Sequence, residues 1–243
     1  MNIISITIAL APILFFAIII YKRDKYDKEP IGKIVKYYLL GITFSLIVFV
    51  TEKNMISVNI ENGLFRKIYI SFIAVALVEE FSKWAVLNVF LIKEQNFNER
   101  LDGVIYSIML SLGFASTENM IYILSESKFL VYRLGLLRGI TSIPAHIVFG
   151  IIMGYYISKS KFSESKIESL KNKLKSLLIP IVMHGVFDFI LMIEERWSTI
   201  LFIVYVVFVS IYSLKKIDEY TDNSRKKYLV RLRMNLMRRR KKD

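Results

Sequence analysis

IYISFIAVALVEEFSKWAVLNVFLI, residues 68–92, is an apolar run broken by Glu79-Glu80 and, one turn later, Lys83. About 20 apolar residues suffice to cross a bilayer as a helix, so this stretch is long enough to do so. Its charges then lie near mid-membrane. Ionisable groups at that depth are costly, and they mark sites of chemistry or transport.

Six further stretches read the same way: residues 3–21, 34–51, 101–124, 134–158, 177–193 and 198–214. The 243-residue chain is 54% hydrophobic, with a mean hydropathy of +0.45, more apolar than a soluble domain of that length. The expected fold class is all-α: a polytopic transmembrane helix bundle of about seven helices. We expect one membrane domain over residues 1–217, with its polar core at about 68–193, and a basic tail over 218–243. There is no cysteine, so disulfides and thiolate metal sites are excluded. The two histidines, His146 and His184, are too few for a multi-histidine zinc site.

The net charge of +13 has a membrane explanation. With the N-terminus outside, the inner connections and tail carry 26 Lys and Arg and the outer connections 6, with Lys83 and Arg138 inside spans. The positive-inside rule then sets the N-terminus outside and the C-terminus in the cytoplasm of a multi-pass cell-membrane protein. Residues 3–21 read as an anchor and not a cleavable signal. No positive residue precedes them, and Lys22-Arg23 follows directly. The segment 159–175 reads as a short solvated helix or loop. The tail suits contact with anionic lipid, and no aromatic platform for nucleic acid accompanies its charge.

Polar interior residues fall on the third to sixth spans, a four-helix core with the other helices as peripheral anchors. Glu79 and Glu80 are four and three residues before Lys83, so either can pair with it on a helix surface. Adjacent residues point about 100° apart, which suggests that one acid pairs with Lys83 and the other faces a reaction site. Spacing favours Glu79 as the lysine's partner. An ion pair that only glues helices together would need one acid, and the second is surplus. On the fourth span Glu118 stands among Ser111, Ser116, Thr117 and Asn119, with no basic partner in its own helix. On the fifth, Pro144 frees the carbonyl of Ile140 and opens the helix beside His146. Arg138 lies near the outer end, where a long side chain can snorkel. On the sixth, His184 and Asp188 share a face at i,i+4, a spacing at which an aspartate orients an imidazole. All converge on the middle-to-outer half of the bilayer.

At these residues the chain resembles the PrsW family of intramembrane proteases. The family sits in a superfamily with CAAX prenyl endopeptidases and bacteriocin-immunity proteins. The matching motifs are EExxK at Glu79–Lys83, FxxxE at Phe114–Glu118 followed by Asn119, an arginine-to-histidine stretch at Arg138–His146, and HxxxD at His184–Asp188. The resemblance implies hydrolysis of a membrane-anchored protein, with members associated with the first cut of anti-sigma factors. It implies that Glu79 with Glu118 activates water and that His184 with Asp188 gives electrophilic help. Glu80, Lys83 and His146 would support or position, with Asn119 and Arg138 beside them.

Peptide hydrolysis needs a base, a proton donor and an oxyanion stabiliser, and clustered carboxylates with imidazoles can supply all three. No cofactor is expected on this reading. The same residues could instead hold zinc with an open position, although HExxH is absent. A proton-coupled transporter also uses buried Glu and His, and a noncatalytic scaffold could use the acids to bind a partner helix. No inverted repeat favours transport.

Overall fold

The computed structural model describes residues 3–126, 130–193, 195 and 197–240. Every regular element among them is helical. In chain order these are α1 (Ile3–Arg23), α2 (Ile31–Ile56), α3 (Gly63–Ile68), α4 (Val78–Val86), α5 (Arg100–Leu124), α6 (Val131–Ile140), α7 (Ser142–Lys161), α8 (Lys166–Leu191) and α9 (Ser198–Arg240). Between α3 and α4 the chain runs as a π-helix over Tyr69–Leu77, and it does so again after α4 over Leu87–Leu91.

Six helical stretches are long and apolar enough to cross a membrane: Ile4–Arg23, Ile31–Ile56, Arg100–Leu124, Val131–Lys161, Lys166–Leu191 and Ser198–Asn235. The remaining expected span is the helical run 63–91, continuous in the backbone but changing between α and π geometry. The protein is thus a multi-pass membrane protein with an all-α bundle.

Helix α5 is the hub. It is buried over most of its length, and α7, α2 and α1 pack around it. Two glycines set the distance to α2. A Cβ on Gly41 would meet the Leu110 carbonyl oxygen, and one on Gly113 would meet that of Tyr38. Only glycine lets these backbones approach so closely. A hydrogen bond of 2.7 Å between Tyr38 and Ser116 joins the same pair of helices. At its start α5 is capped by Asp102, whose Oδ2 accepts from the amides of Asn98 and Glu99.

Three boundaries differ from the sequence expectation. The fifth span is two helices, because the chain breaks at Thr141, with φ −120° and ψ −72°. Pro144 lies in the first turn of α7, where its missing amide costs no bond. The segment 166–175 is neither separate nor a loop: it is the first part of α8, started by Ser165, whose hydroxyl accepts from the Glu168 amide. The basic tail is not set off from the last span either, because α9 continues unbroken to Arg240. Lys, Arg, Leu and Met are all good helix formers, so the change in polarity does not interrupt it. The tail's last residues, 241–243, lie outside the described residues.

Candidate active site

The π-helix Tyr69–Leu77 delivers the chain into α4, where Glu79, Glu80 and Lys83 are all buried. A π segment shifts the phase of the residues after it, and such segments recur at functional sites. Trp84 ties α4 to α8 through a 3.0 Å bond from its indole nitrogen to Ser176.

Lys83 takes both acids. Its ammonium donates to Glu79 Oε2 at 2.9 Å and to Glu80 Oε1 at 2.8 Å, and it lies 3.3 Å from His146 Nδ1. The expected division, with one acid on the lysine and one free, is therefore corrected. The lysine stem is long enough to sit between two acids 100° apart. The Phe114 ring lies 4.4 Å from the ammonium and closes its remaining side.

Two chains of contacts lead away from this centre. In one, His146 Nε2 lies 2.7 Å from Glu118 Oε2, and Arg138 Nη2 lies 3.0 Å from Glu118 Oε1. Arg138 also donates to Asn119 at 2.6 Å and to Ser142 at 3.1 Å, and Asn119 donates to the carbonyl of Ala9 on α1. Arg138 therefore does not snorkel: it is the basic partner that Glu118 lacks in its own helix. In the other chain, His184 Nδ1 lies 2.9 Å from Glu80 Oε1 and its Nε2 lies 3.3 Å from Asp188 Oδ2. An imidazolium in that position would donate at both ends. The ring stacks on Phe149, with centroids 4.9 Å apart, and the two imidazoles are 6.0 Å apart.

A cavity of about 720 Å³ opens against these chains, between α5, α6, α7, α8 and α9. Glu118, Arg138, His146, His184 and Asp188 line it, with Leu137, Phe149, Phe187 and Phe202 among its apolar walls. Glu79, Glu80 and Lys83 lie behind this lining. Glu118 and Asp188 are the carboxylates that reach the cavity, with side chains 24% and 23% exposed. All nine residues singled out in the sequence are thus joined in one network. Sequence reading missed Glu52. It follows the end of the second predicted span, on α2, which packs on α4, and its Oε1 is buried.

Four motifs in order, on helices that pack around one cavity, make a family comparison decisive. Residues 29–214 match the family described as PrsW family intramembrane metalloprotease. The chain belongs to the PrsW family. "Protease PrsW" of Clostridioides difficile (strain 630) is 45% identical over 226 residues, 93% of this chain and 95% of its own. "Protease PrsW" of Oceanobacillus iheyensis is 34% identical, over 87% of this chain and 95% of its own. The Bacillus subtilis (strain 168) protein of the same name is 28% identical, over 87% of this chain and 93% of its own. No solved structure matches.

The PrsW family description implies a metal. Two triplets have suitable donors, Glu79, Glu80 and His184, and Glu79, Glu118 and His146, each with ligand atoms within 4.8 Å of one another. Their arrangement does not fit an ion. The Lys83 ammonium already holds Glu79 Oε2 and Glu80 Oε1, His184 lies 2.9 Å from that same Glu80 oxygen, and His146 and Glu118 bond to each other at 2.7 Å. A second cation would share its ligands with a buried ammonium.

Proposed function

We propose that the protein is an intramembrane endopeptidase in which Glu79 and Glu118 activate water. The observation that carries this reading is the convergence of Glu79, Glu118 and His146 within 4.8 Å beside the cavity. Water held by the two carboxylates gives up a proton to Glu79 as its oxygen bonds to the peptide carbonyl carbon. That proton passes to the leaving nitrogen as the C–N bond breaks. His184, oriented by Asp188 and Glu80, faces the cavity and stabilises the oxyanion. Lys83 holds both buried acids in place, and Arg138 does the same for Glu118.

The cavity's mixed lining suits an unwound transmembrane segment, with apolar walls for side chains and a polar wall for the reacting bond. The substrate is a membrane-anchored protein. By family resemblance it is an anti-sigma factor receiving its first cut. Charge asymmetry supports an N-terminus outside and a C-terminus in the cytoplasm, so cleavage falls near the extracytoplasmic boundary. The basic end of α9 meets anionic lipid. The family's description favours a second reading, in which the same carboxylates and imidazoles bind zinc.

The test is co-expression with a single-span membrane substrate. Wild type cuts it, and Glu118→Gln lowers the rate by about 100-fold or more, the scale of a lost acid–base group. Cutting by Glu118→Gln at the wild-type rate would overturn the assignment.

A further inference from the structure

A second cavity, of about 480 Å³, lies at the turn between α7 and α8, against the π-helix Leu87–Leu91. Its lining is separate from that of the active-site cavity. Lys161 at the end of α7 and Lys166 and Lys173 on α8 line it, and Glu164 is the acid among its lining residues. The turn is braced from both sides. The Ser160 hydroxyl donates to the Ser169 carbonyl at 2.8 Å, and the Ser169 hydroxyl donates back to the Ser160 carbonyl at 2.9 Å. Lys161 is fixed by a 2.6 Å bond to the Phe97 carbonyl, and the Lys173 ammonium lies 5.5 Å from the Trp84 ring. Three ammonium groups thus surround one opening.

Among the described residues none of the three is in an ion pair. The neighbouring acids are taken, Glu94 by Lys33 and Lys36, and Glu168 by Lys171. Like charges around one opening repel, and a bound anion relieves that repulsion.

The level of the cavity decides which anion fits. Before Ser176, α8 carries Lys166, Glu168, Lys171, Lys173 and Lys175, and from Ser176 to Phe187 it carries no Asp, Glu, Lys or Arg. The membrane surface therefore crosses α8 near Lys175, level with the cavity. Ile92, Ile157 and Leu170 give the cavity an apolar side. Leu170, Leu174 and Leu178 continue along α8 at four-residue spacing, on one face, each more than half exposed. A basic opening at the membrane surface that leads into an exposed leucine stripe suits a phosphate with acyl chains attached.

We propose that this cavity holds the headgroup phosphate of an anionic glycerophospholipid, with Lys166 and Lys173 on the phosphate and an acyl chain along Leu170, Leu174 and Leu178. A zwitterionic headgroup would bring a fourth cation against the three lysines, so phosphatidylglycerol binds in preference to phosphatidylcholine. The site is distinct from the basic end of α9 and does not depend on the peptidase reading. The lipid fastens the start of α8 to the end of α7, the helices that carry His184 and His146.

The test is native mass spectrometry of the full chain in detergent, titrated with phosphatidylglycerol or phosphatidylcholine. Wild type retains one phosphatidylglycerol at concentrations at which phosphatidylcholine is lost. Lys166→Gln with Lys173→Gln weakens that retention by about tenfold or more. Both side chains are exposed, so the pair of substitutions leaves the lipid-free melting temperature unchanged. Lys166→Arg with Lys173→Arg keeps the lipid, as does the tail control Arg225→Gln with Lys226→Gln. Equal retention of the two lipids by wild type, or loss in the tail control with none in the cavity variant, overturns the site. Glycerol 3-phosphate, the phosphate without chains, does not bind at the same concentrations. Binding as tight as the lipid's would assign the cavity to a soluble phosphate and overturn the lipid.

Discussion

Lys83 lies between Glu79 and Glu80, 2.9 Å from one carboxylate and 2.8 Å from the other, and all three side chains are buried. One ammonium thus compensates two acids at the centre of the bundle. Removing one partner of a buried ion pair costs about 3–5 kcal/mol, because the other charge is stranded. Lys83→Met should therefore lower the melting temperature in detergent sharply and reduce the folded protein extracted from membranes. Glu80→Gln removes one of the two acids and leaves the lysine paired with Glu79, so it should cost less. Equal stability of Lys83→Met and wild type would mean that the two acids are compensated elsewhere.

Arg138 makes three directed contacts at once, to Glu118, Asn119 and Ser142. Only a planar guanidinium can present that fork, and a lysine keeps the charge but not the geometry. Arg138→Lys should lower kcat by about tenfold, with KM within about twofold. The loss is in the aim of Glu118, not in substrate binding. Steady-state kinetics on a single-span substrate checks this, and a change confined to KM would place Arg138 in binding.

Much of this was legible in the sequence because charge inside an apolar helix is rare and therefore informative. Glu79, Lys83, Glu118, His146, His184 and Asp188 stood out on that ground alone, and packing brings them together. Sharing of Lys83 was not legible: i,i+3 and i,i+4 spacing permits either pair, and only the lysine's rotamer makes both. Glu52 was lost because hydropathy ended the second span at Thr51. The buried stripe Ile34, Tyr37, Gly41, Ser45 and Val48, whose next step is Glu52, was the signal that could have found it. The π-helices around α4 leave no mark in the apolar pattern, since nearly every residue of Tyr69–Leu77 is apolar. Partners across helices, such as Arg138 for Glu118, depend on tertiary packing that no single-helix spacing encodes.

The Lys83 ammonium also bears on metal dependence. With Glu79 and Glu80 both on the lysine, cleavage should survive chelation. Enzyme purified with chelator, and shown by elemental analysis to hold less than about one tenth of an equivalent of zinc, should keep its rate within about twofold. Loss of activity restored by zinc would instead mean that Lys83 leaves the acids in the working enzyme.

Gly113 fixes how closely α2 lies on α5, since a Cβ there would meet the Tyr38 carbonyl oxygen. A backbone neighbour cannot swing aside as a side-chain tip can. Overpacking of this kind costs about 1–3 kcal/mol. Gly113→Ala should lower the melting temperature in detergent, and Gly32→Ala, which meets nothing within 4 Å, should leave it nearly unchanged.

At the other end of α5, away from the site, Glu29 and Asp24 are buried in the loop between α1 and α2. Glu29 accepts from the Tyr106 hydroxyl, and its amide donates to Asp24 at 2.7 Å. Burial pushes Glu29 up to about 7, against the Tyr106 bond, with the charges of Asp24 and Asp27 adding to the rise. Burial likewise pushes Asp24 up to about 6, helped by the charges of Glu99 and Asp27. Carboxylates in an unfolded chain titrate near pH 4. Between about pH 4 and 7 the folded protein therefore binds more protons than the unfolded chain, and stability falls as pH rises through that window. Glu29→Gln cannot ionise, so it should remove that residue's share of the loss. Wild type should melt lower at pH 8 than at pH 5, and Glu29→Gln should gain about 1–3 kcal/mol over wild type at pH 8 and little at pH 5. Thermal denaturation of both proteins in the same detergent at the two pH values checks this. A wild type steadier at pH 8 than Glu29→Gln would show that the ionised carboxylate finds a favourable partner there.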